Sequence, residues 1–358
     1  MSVRLALVGL GWAGRELWFP LLREHADFEV VAAVDADPVA RAAFREATGI
    51  AVYPAVDALS ARTVDLAVVA VPNHLHVEVA GALLASGVSV FLEKPVCLTS
   101  AEVDILAVAE RGGGMLLAGS AARYRGDVQA LGRTLPDLGD FRHVDLAWVR
   151  ARGIPRAGGW FTQRDKAGGG ALFDLGWHLL DTLAFLLGPA RFTQVVGVTS
   201  DDFVNVDAWR AAWRRDQPGA DTADVEDTAR GFLVRDDGVS VSLRASWASH
   251  EARDVSLIRV EGSAGTAELR CTFGFSPNRE PEPVLTVTRE GTTTRLGVPA
   301  EEIGVEYRRQ LDGLAAMLAD PGNRGRAVAE ARPIVQLIEN FYASAHSARA
   351  RRAELAFQ

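Results

Sequence analysis

A glycine-rich turn between a strand pattern and a helix pattern constrains the fold of this chain more than any other feature. The apolar run 3–8 leads directly into Gly9-Leu10-Gly11-Trp12-Ala13-Gly14, and a helical pattern follows to about residue 25. A second apolar run, 29–34, ends in Asp35, about 20 residues after the turn. A lone G-x-G-x-x-G is a weak signal in a chain with 34 glycines. Strand, turn, helix, strand and acid in this order, however, predict a dinucleotide-binding Rossmann unit.

Each residue of this pattern has a physical task. Gly9 permits the tight turn, Gly11 lets backbone amides approach a pyrophosphate, and Gly14 lets helix and strand pack closely. The N-terminus of the following helix offers unpaired N–H groups to phosphates, and Trp12 is also predicted to bind the cofactor. Asp35 is expected to accept hydrogen bonds from the adenine ribose and to repel a 2′-phosphate. Because residues 36–38 contain no Arg or Ser, NAD is predicted over NADP, and an ordinary turn with an accidental acid is the alternative.

Strands and helices continue to alternate after this unit. Buried strands are predicted at 64–71, 88–92 and 115–118, with helices at 74–86 and 100–111. This alternation predicts a parallel, doubly wound sheet, in which ligands bind beyond the carboxyl ends of the strands. The residues expected to line that cleft are Asp35, Pro72, Asn73, Glu93 and Lys94.

The periodicity changes from about residue 123. Alternating apolar runs separated by Gly-containing turns predict a large, mostly antiparallel sheet with helices on one face. The open face is then available for oligomerisation. We therefore predict two domains, an NAD-binding domain of residues 1–122 and an α+β domain for substrate binding and oligomerisation of residues 123–358. An acidic insertion at 201–227, with Trp209 and Trp213, is interpreted as an exposed loop that overhangs the substrate cleft.

Composition excludes several classes of protein. A net charge of −8 argues against a nucleic-acid partner, and no apolar run approaches the length of a membrane span. The start shows no signal-peptide pattern, so the cytoplasm is the expected location. Of the 38 basic residues, only Lys94 and Lys166 are lysine. These two are therefore of interest, because lysine can lose a proton near neutral pH and arginine cannot.

Three segments resemble one family of oxidoreductases. They are Val71-Pro72-Asn73-His74-Leu75-His76, Glu93-Lys94-Pro95, and the run from Gly168 to Asp181, which reads G-G-G-A-L-F-D-L-G-W-H-L-L-D. Together with matching segments at 225–227, 261–266 and 342–345, they resemble the Gfo/Idh/MocA family of glucose–fructose oxidoreductase and inositol dehydrogenase. The resemblance implies a Rossmann domain, a second domain built on a large antiparallel sheet, and hydride transfer between nicotinamide and a secondary alcohol of a sugar or cyclitol. It also implies dimers or tetramers through the open sheet face, with Asn73 and His76 near the cofactor.

Oxidation of a secondary alcohol needs a base for the hydroxyl proton and a group that stabilises the developing alkoxide. Lys94 follows a strand end beside the expected cofactor pocket, where it could orient or deprotonate the hydroxyl. Asp174 and His178 lie four apart in a helical pattern and share one face, which Asp181 continues. We predict that His178 accepts the proton, that Lys94 holds the hydroxyl oxygen and that Asp174 binds substrate or orients the imidazole. The reverse assignment of Lys94 and His178 stays open.

Other candidates are weaker. Arg123 and Tyr124 match an Arg–aromatic pair of the family and are predicted to contact substrate. Trp160 and Lys166 are candidates for stacking on or binding a sugar, with ordinary packing equally compatible. His74, His76 and Glu78 do not share a helix face, so no metal site is predicted.

These observations predict an NAD-dependent sugar or cyclitol dehydrogenase. The Arg-, Ala- and Gly-rich composition indicates a GC-rich genome, which suggests an aminoglycoside or nucleotide-linked sugar oxidised ahead of amination. Two alternatives remain: an NAD(P)H-dependent keto-sugar reductase running in the opposite direction, and a non-catalytic nicotinamide-binding regulatory protein.

Overall fold

The chain forms two compact units. The computed structural model describes the backbone of residues 2–212 and 222–356, and the side chains of residues 2–212 and 222–351. The first unit contains Met1–Ser120 and Tyr307–Arg332, and the second contains Ala121–Glu306 and Pro333–Gln358.

The first unit is built on a six-stranded parallel sheet. Its strands are β1 (Val3–Val8), β2 (Phe28–Val34), β3 (Ala51–Tyr53), β4 (Leu66–Val69), β5 (Ser89–Leu92) and β6 (Leu116–Ala118). They lie in the order β3-β2-β1-β4-β5-β6, which is the order of a Rossmann sheet. Its helices include α1 (Phe19–Glu24), α2 (Pro38–Thr48), α3 (His76–Ala85) and α4 (Ser100–Gly112). The predicted parallel, doubly wound fold is confirmed.

One segment belongs to a different unit than predicted. Residues 307–332, which were predicted to belong to the second domain, are part of the first unit. Leu311 and Leu314 are fully buried in the core that contains Trp18, and the Tyr307 ring meets the Trp18 ring edge-on at 5.7 Å. The sequence pattern did not reveal this because the segment lies about 200 residues from the sheet that it packs against.

The second unit is built on an eight-stranded sheet. Its strands are β7 (Phe141–Val149), β8 (Phe192–Ser200), β9 (Thr228–Arg235), β10 (Ser240–Ser246), β11 (Val255–Gly262), β12 (Thr266–Cys271), β13 (Val284–Arg289) and β14 (Thr292–Leu296). Helices α5 (Gly126–Thr134), α6 (Arg164–Ala167) and α7 (Trp177–Leu187) lie in this unit, and α8 (Val305–Ala319) and α9 (Arg326–Ala356) contribute to both units. The strand order is β14-β13-β12-β11-β7-β10-β9-β8, with β10 and β7 parallel and the other neighbours antiparallel.

Alternation along the strands gives this sheet one buried and one open face. In β7, Val144, Leu146 and Trp148 are buried, whereas His143 and Asp145 are partly exposed. The period of two in side-chain direction therefore assigns the first three to the core face. The predicted mostly antiparallel sheet is confirmed.

The described ends of the insertion are largely exposed or partly exposed, as predicted for a loop, but they also contain buried residues. Val204 is 1% exposed, and its backbone amide donates to Asp227 Oδ2 at 3.0 Å, as does that of Phe203. Asn205 donates to and accepts from the backbone of Ala223. The ends of the insertion are thus anchored by hydrogen bonds to one another, while Trp213 and residues 214–221 lie outside the described residues.

A helical stretch in the second unit, Arg164–Leu187, is long and apolar enough to cross a membrane. Of its most apolar window, 67% is buried inside the structure. This burial is typical of a core helix packed against its own sheet.

Candidate active site

The glycine turn of the first unit forms a cradle that fits a dinucleotide. Gly9 has φ +96°, and a Cβ there would lie 2.6 Å from the Ala70 carbonyl oxygen. A Cβ on Gly14 would lie 1.9 Å from the Gly9 carbonyl oxygen, so no larger residue fits at either position. A Cβ on Gly11 would meet nothing within 4 Å. The backbone at Gly11 therefore borders open space, as the approach of a pyrophosphate requires.

The helix after this cradle begins as a wide turn. Residues Ala13–Trp18 form a π-helical turn that runs into α1, and such turns are frequent at functional sites. Trp12 at its start is 50% exposed, whereas Trp18 at its end is fully buried. Trp18 Nε1 donates a hydrogen bond of 2.8 Å to Glu93 Oε1. The first helix is therefore fastened to the loop that carries Lys94.

Asp35 follows β2 with its carboxylate already oriented. Oδ2 accepts from the Leu10 amide at 2.7 Å, and Oδ1 accepts from the Asp37 amide at 2.8 Å. Sequence reasoning missed Arg41, whose guanidinium donates to the carbonyl oxygens of Asp35 and Ala36 at 2.9 and 2.8 Å. A carboxylate and a guanidinium thus lie side by side after β2.

Glu93 and Lys94 follow β5, and the Lys94–Pro95 peptide is cis. The Lys94 backbone amide donates to Glu93 Oε2 at 3.0 Å. Burial raises the pKa of Glu93, against the opposing effects of Lys94 and Trp18. Glu93 thereby fixes the backbone from which the partly exposed Lys94 side chain extends.

His76 lies below this surface. It is 1% exposed, with Nδ1 2.7 Å from the Pro95 carbonyl oxygen and Nε2 3.0 Å from that of Val71. Burial lowers its pKa to about 4, so the ring is neutral at pH 7 and donates through one nitrogen. His76 connects the loop after β4, which carries Pro72 and Asn73, to the loop after β5. Its predicted contact with the cofactor stays a prediction.

Asp174 and His178 are the distinctive side chains of the second unit. Residues 171–183 are otherwise buried, and only these two are partly exposed. The predicted continuous α-helix is instead a π-helical turn, Leu172–Gly176, followed by α7. Asp174 lies in the turn and His178 in the first turn of α7. The structure thus presents one carboxylate and one imidazole on an otherwise apolar segment.

Buried aromatic residues fix the surroundings of both side chains. Trp247 is fully buried, and its Nε1 donates a hydrogen bond of 3.0 Å to Asp174 Oδ2. The Trp148 ring lies 5.5 Å from the His178 ring at an angle of 47°. Because Trp148 and Trp247 belong to the adjacent strands β7 and β10 or their immediate extension, the sheet sets the positions of both polar groups.

Glu226 anchors the loop that leads into this segment, and sequence reasoning assigned it no role. It is 2% exposed, and its Oε1 accepts from the amides of Gly170 and Leu172 at 3.0 and 3.1 Å and from the Tyr342 hydroxyl at 2.8 Å. A Cβ on Gly169 would lie 1.9 Å from the Tyr342 hydroxyl, and one on Gly170 would lie 1.8 Å from the Glu226 carbonyl oxygen. The glycines are required because Glu226 and Tyr342 occupy the space beside them.

The remaining predicted residues have defined partners. Arg123 forms a bidentate ion pair with the buried Asp181, donating through Nε at 3.0 Å and through Nη2. Tyr124 ends the same 3₁₀ turn as Arg123. The Trp160 ring lies 4.8 Å from Phe161, which lies 6.1 Å from Trp247.

Lys166 Nζ donates to Gln163 Oε1 in the turn before the glycine loop. Asp181, expected to extend the face of Asp174 and His178, is instead committed to Arg123.

Family models match both parts of the chain. Residues 3–119 match the description "Oxidoreductase family, NAD-binding Rossmann fold", and residues 136–268 match "GFO/IDH/MocA C-terminal domain".

Several known proteins are similar over most of their length. The chain is 82% identical, over all 358 residues of both chains, to a protein of Amycolatopsis mediterranei named "Putative UDP-kanosamine synthase oxidoreductase subunit". It is 28% identical to D-glucoside 3-dehydrogenase of Escherichia coli, covering 72% of this chain and 74% of the relative. Its fold matches GenD2 from gentamicin A biosynthesis, solved with NAD, at a TM-score of 0.76 and 24% identity, covering 97% and 95% of the two chains.

Proposed function

Because the chain belongs to the Gfo/Idh/MocA family of oxidoreductases, we propose that it is an NAD-dependent dehydrogenase that oxidises a ring alcohol of a sugar or cyclitol. The observation that carries the proposal is the partial exposure of Asp174 and His178 in a segment that is otherwise buried from residue 171 to 183. A carboxylate and an imidazole are poorly suited to such a segment unless they serve a ligand.

The chemistry divides among three side chains. When bound, the nicotinamide supplies the hydride acceptor. His178 takes the hydroxyl proton, and Lys94 holds the hydroxyl oxygen and stabilises its developing negative charge. Asp174 orients the sugar by accepting a hydrogen bond from a neighbouring hydroxyl, while Trp247 keeps its other oxygen in place.

The substrate we propose is an intermediate of amino-sugar synthesis. Two relatives support this choice, since their names specify UDP-kanosamine and a glucoside oxidised at position 3. An amino group can replace a ring hydroxyl once that hydroxyl has been oxidised to a ketone. The proposed direction is therefore oxidation, followed by amination on another protein.

A substrate screen with site variants tests this assignment. Sugars, cyclitols and aminoglycosides would be incubated with NAD⁺ while NADH absorbance is followed. His178→Ala and Lys94→Met are expected to lower kcat for the identified substrate by about 10²–10⁴-fold, the usual effect of removing a proton-transfer group. The exposed His346 of the same unit supplies a matched control, His346→Ala. Wild-type turnover by either site variant would show that the assignment is wrong.

The preference for NAD over NADP is part of the proposal. Asp35 supports NAD because two backbone amides orient its carboxylate after β2, where a ribose hydroxyl is proposed to bind, whereas Arg41 beside it is the feature that favours NADP. We expect NAD⁺ to bind more tightly than NADP⁺ in calorimetric titrations, and Asp35→Ala to remove most of that difference. Tighter binding of NADP⁺ by the wild type, unchanged in Asp35→Ala, would contradict this part of the proposal.

We also propose that the chain forms a dimer or tetramer through the open sheet face. Val196, Val198 and Phe232 lie on the neighbouring strands β8 and β9 and are 62%, 51% and 48% exposed. Three large apolar side chains together on a surface are typical of an interface. Light scattering of wild type and Val196→Glu would test this, since the charge should shift the protein towards monomer.

We expect the enzyme to act in the cytoplasm.

A further inference from the structure

The segment between β7 and the Asp174 turn is rich in cations. Residues 150–170 include five cations and one carboxylate, a net charge of +4 in a chain whose total is −8. These residues are Arg150, Arg152, Arg156, Arg164, Lys166 and Asp165. An exposed cation of this segment that has no carboxylate beside it can attract an anionic ligand.

Contacts within the second unit join this segment to Asp174 and His178. The Arg150 guanidinium lies 5.3 Å from the Trp148 ring, which packs against His178. The Gly153 amide donates a hydrogen bond of 2.7 Å to the carbonyl oxygen of Trp247, and the Trp247 indole donates one to Asp174. The first residues of the cationic segment therefore contact the two tryptophans that pack against Asp174 and His178.

An aromatic cluster lies beside Arg152 in this segment. The Arg152 guanidinium lies 5.8 Å from the Trp209 ring centre, and the Trp209 ring meets His250 edge-on at 5.0 Å and Phe203 at 4.5 Å. Arg152 and His250 are exposed and Trp209 is partly exposed. Among the residues that the structure describes, Arg152 has no carboxylate within ion-pair distance.

The backbone keeps the aromatic cluster and the cationic segment together. The Ile154 amide donates to the Trp209 carbonyl oxygen at 3.3 Å, and the Ala211 amide donates to the Ile154 carbonyl oxygen at 3.0 Å. Arg152 lies four residues after Trp148, so at most about 14 Å separates their Cα atoms. A diphosphate linked directly to the sugar ring would have to bridge no more than this distance to reach Arg152.

We propose that Arg152, Trp209 and His250 form a subsite for the nucleoside diphosphate portion of the substrate. Arg152, with its plane supported by the indole, binds the diphosphate, which a guanidinium recognises through paired N–H groups. Trp209 and His250 provide aromatic surface for the base. This inference rests on the proposed function and specifies its substrate class, a nucleoside diphosphate sugar whose ring is oxidised at Asp174 and His178.

Two single-residue variants of the subsite and one matched control variant test this proposal. Arg152→Gln and Trp209→Leu would be compared with wild type and with Arg295→Gln, an exposed arginine of β14 that is paired with Glu282. The probes are UDP alone, by calorimetry, and UDP-glucose and glucose 1-phosphate, as substrates with NAD⁺. Circular dichroism would verify that each variant is folded.

We expect both variants to raise the Kd for UDP and the KM for UDP-glucose by about tenfold or more, with kcat unchanged. Arg295→Gln should leave all three constants unchanged. For glucose 1-phosphate, Arg152→Gln should raise the KM and Trp209→Leu should not, because this probe has a phosphate and no base.

Each contrary result has a distinct meaning. If UDP binds both variants as tightly as wild type, the subsite is wrong. If a sugar without a nucleotide is oxidised with a higher kcat/KM than UDP-glucose and UDP does not bind, the subsite is again wrong, but the proposed dehydrogenase stands. If no sugar reduces NAD⁺ while UDP binding still depends on Arg152 and Trp209, the proposed function fails and the nucleotide subsite is supported.

Discussion

The two units form their sites by different means. In the first unit the cradle is made of backbone, and the steric constraints on Gly9 and Gly14 come from the turn itself and from the chain that follows the adjacent strand β4. In the second unit the exposed groups are side chains, and buried residues from distant parts of the chain hold them. Trp247 holds Asp174, and Glu226 fastens the loop that precedes it.

This difference predicts which positions of each unit should tolerate substitution. A backbone site needs small residues at a few turn positions and accepts many side chains elsewhere. A site fixed by buried hydrogen bonds fails when any partner is lost, since an unsatisfied buried amide costs about 1–3 kcal/mol. Single substitutions in each unit should therefore separate the two kinds of site.

The largest expected effect comes from adding one methyl group to a glycine of the second unit. Gly170→Ala places Cβ 1.8 Å from the Glu226 carbonyl oxygen, and backbone atoms on both sides cannot yield easily. We expect a loss of about 4 kcal/mol or more in the free energy of unfolding. Gly11→Ala, whose Cβ meets nothing within 4 Å, should change stability by less than about 0.5 kcal/mol but weaken NAD⁺ binding.

Thermal and urea unfolding, with calorimetric titration of NAD⁺, would measure both glycine variants. Equal losses in the free energy of unfolding for Gly170→Ala and Gly11→Ala would contradict the proposed difference between the units.

Glu226 should have the next largest effect. Glu226→Ala removes the acceptor of the Gly170 and Leu172 amides and should cost about 2–3 kcal/mol of stability. It should also lower kcat without changing the Kd for NAD⁺, because the Asp174 turn would lose its anchor. Glu226→Gln keeps a carbonyl acceptor and should restore most of both losses. A kcat equal to wild type in Glu226→Ala would show that Glu226 does not position the site.

His76 is the exception in the first unit, because a buried side chain there joins two loops. Its pKa is about 4 when folded and near 6.5 when unfolded, so the unfolded chain binds one more proton between these values. Stability from His76 is therefore complete well above pH 6.5 and is lost as pH falls towards 4, by about 1 kcal/mol from pH 6.5 to 5.5 and with a limiting slope of about 1.4 kcal/mol for each pH unit. Urea unfolding at pH 6.5 and 5.5 should show this loss in wild type and not in His76→Gln. If the free energy of unfolding changes equally with pH in wild type and in His76→Gln, His76 is not the source of the pH dependence.

The sequence predicted the first site better than the second because local geometry dictates it. A turn that needs Gly9 and Gly14 between a strand and a helix leaves its signal in consecutive residues. The role of Arg41 was not predicted because only the course of α2 brings its guanidinium back to the carbonyl oxygen of Asp35.

In the second unit, the decisive partners are distant in sequence. Glu226 lies 56 residues after Gly170, and Tyr342 lies 116 residues after Glu226. Gly197 of β8 is required because a Cβ there would lie 2.6 Å from the Phe341 ring, a contact that no local pattern reveals.

Hydride transfer itself gives the most direct test of the account. A sugar that the screen identifies would be prepared with deuterium at the carbon bearing the oxidised hydroxyl and incubated with the enzyme and NAD⁺. We predict that mass spectrometry will find one deuterium in the reduced cofactor, with the rate of transfer strongly lowered in His178→Ala. A reduced cofactor without deuterium, formed while the sugar keeps its label, would contradict the central claim that this chain oxidises a ring alcohol by hydride transfer to NAD⁺.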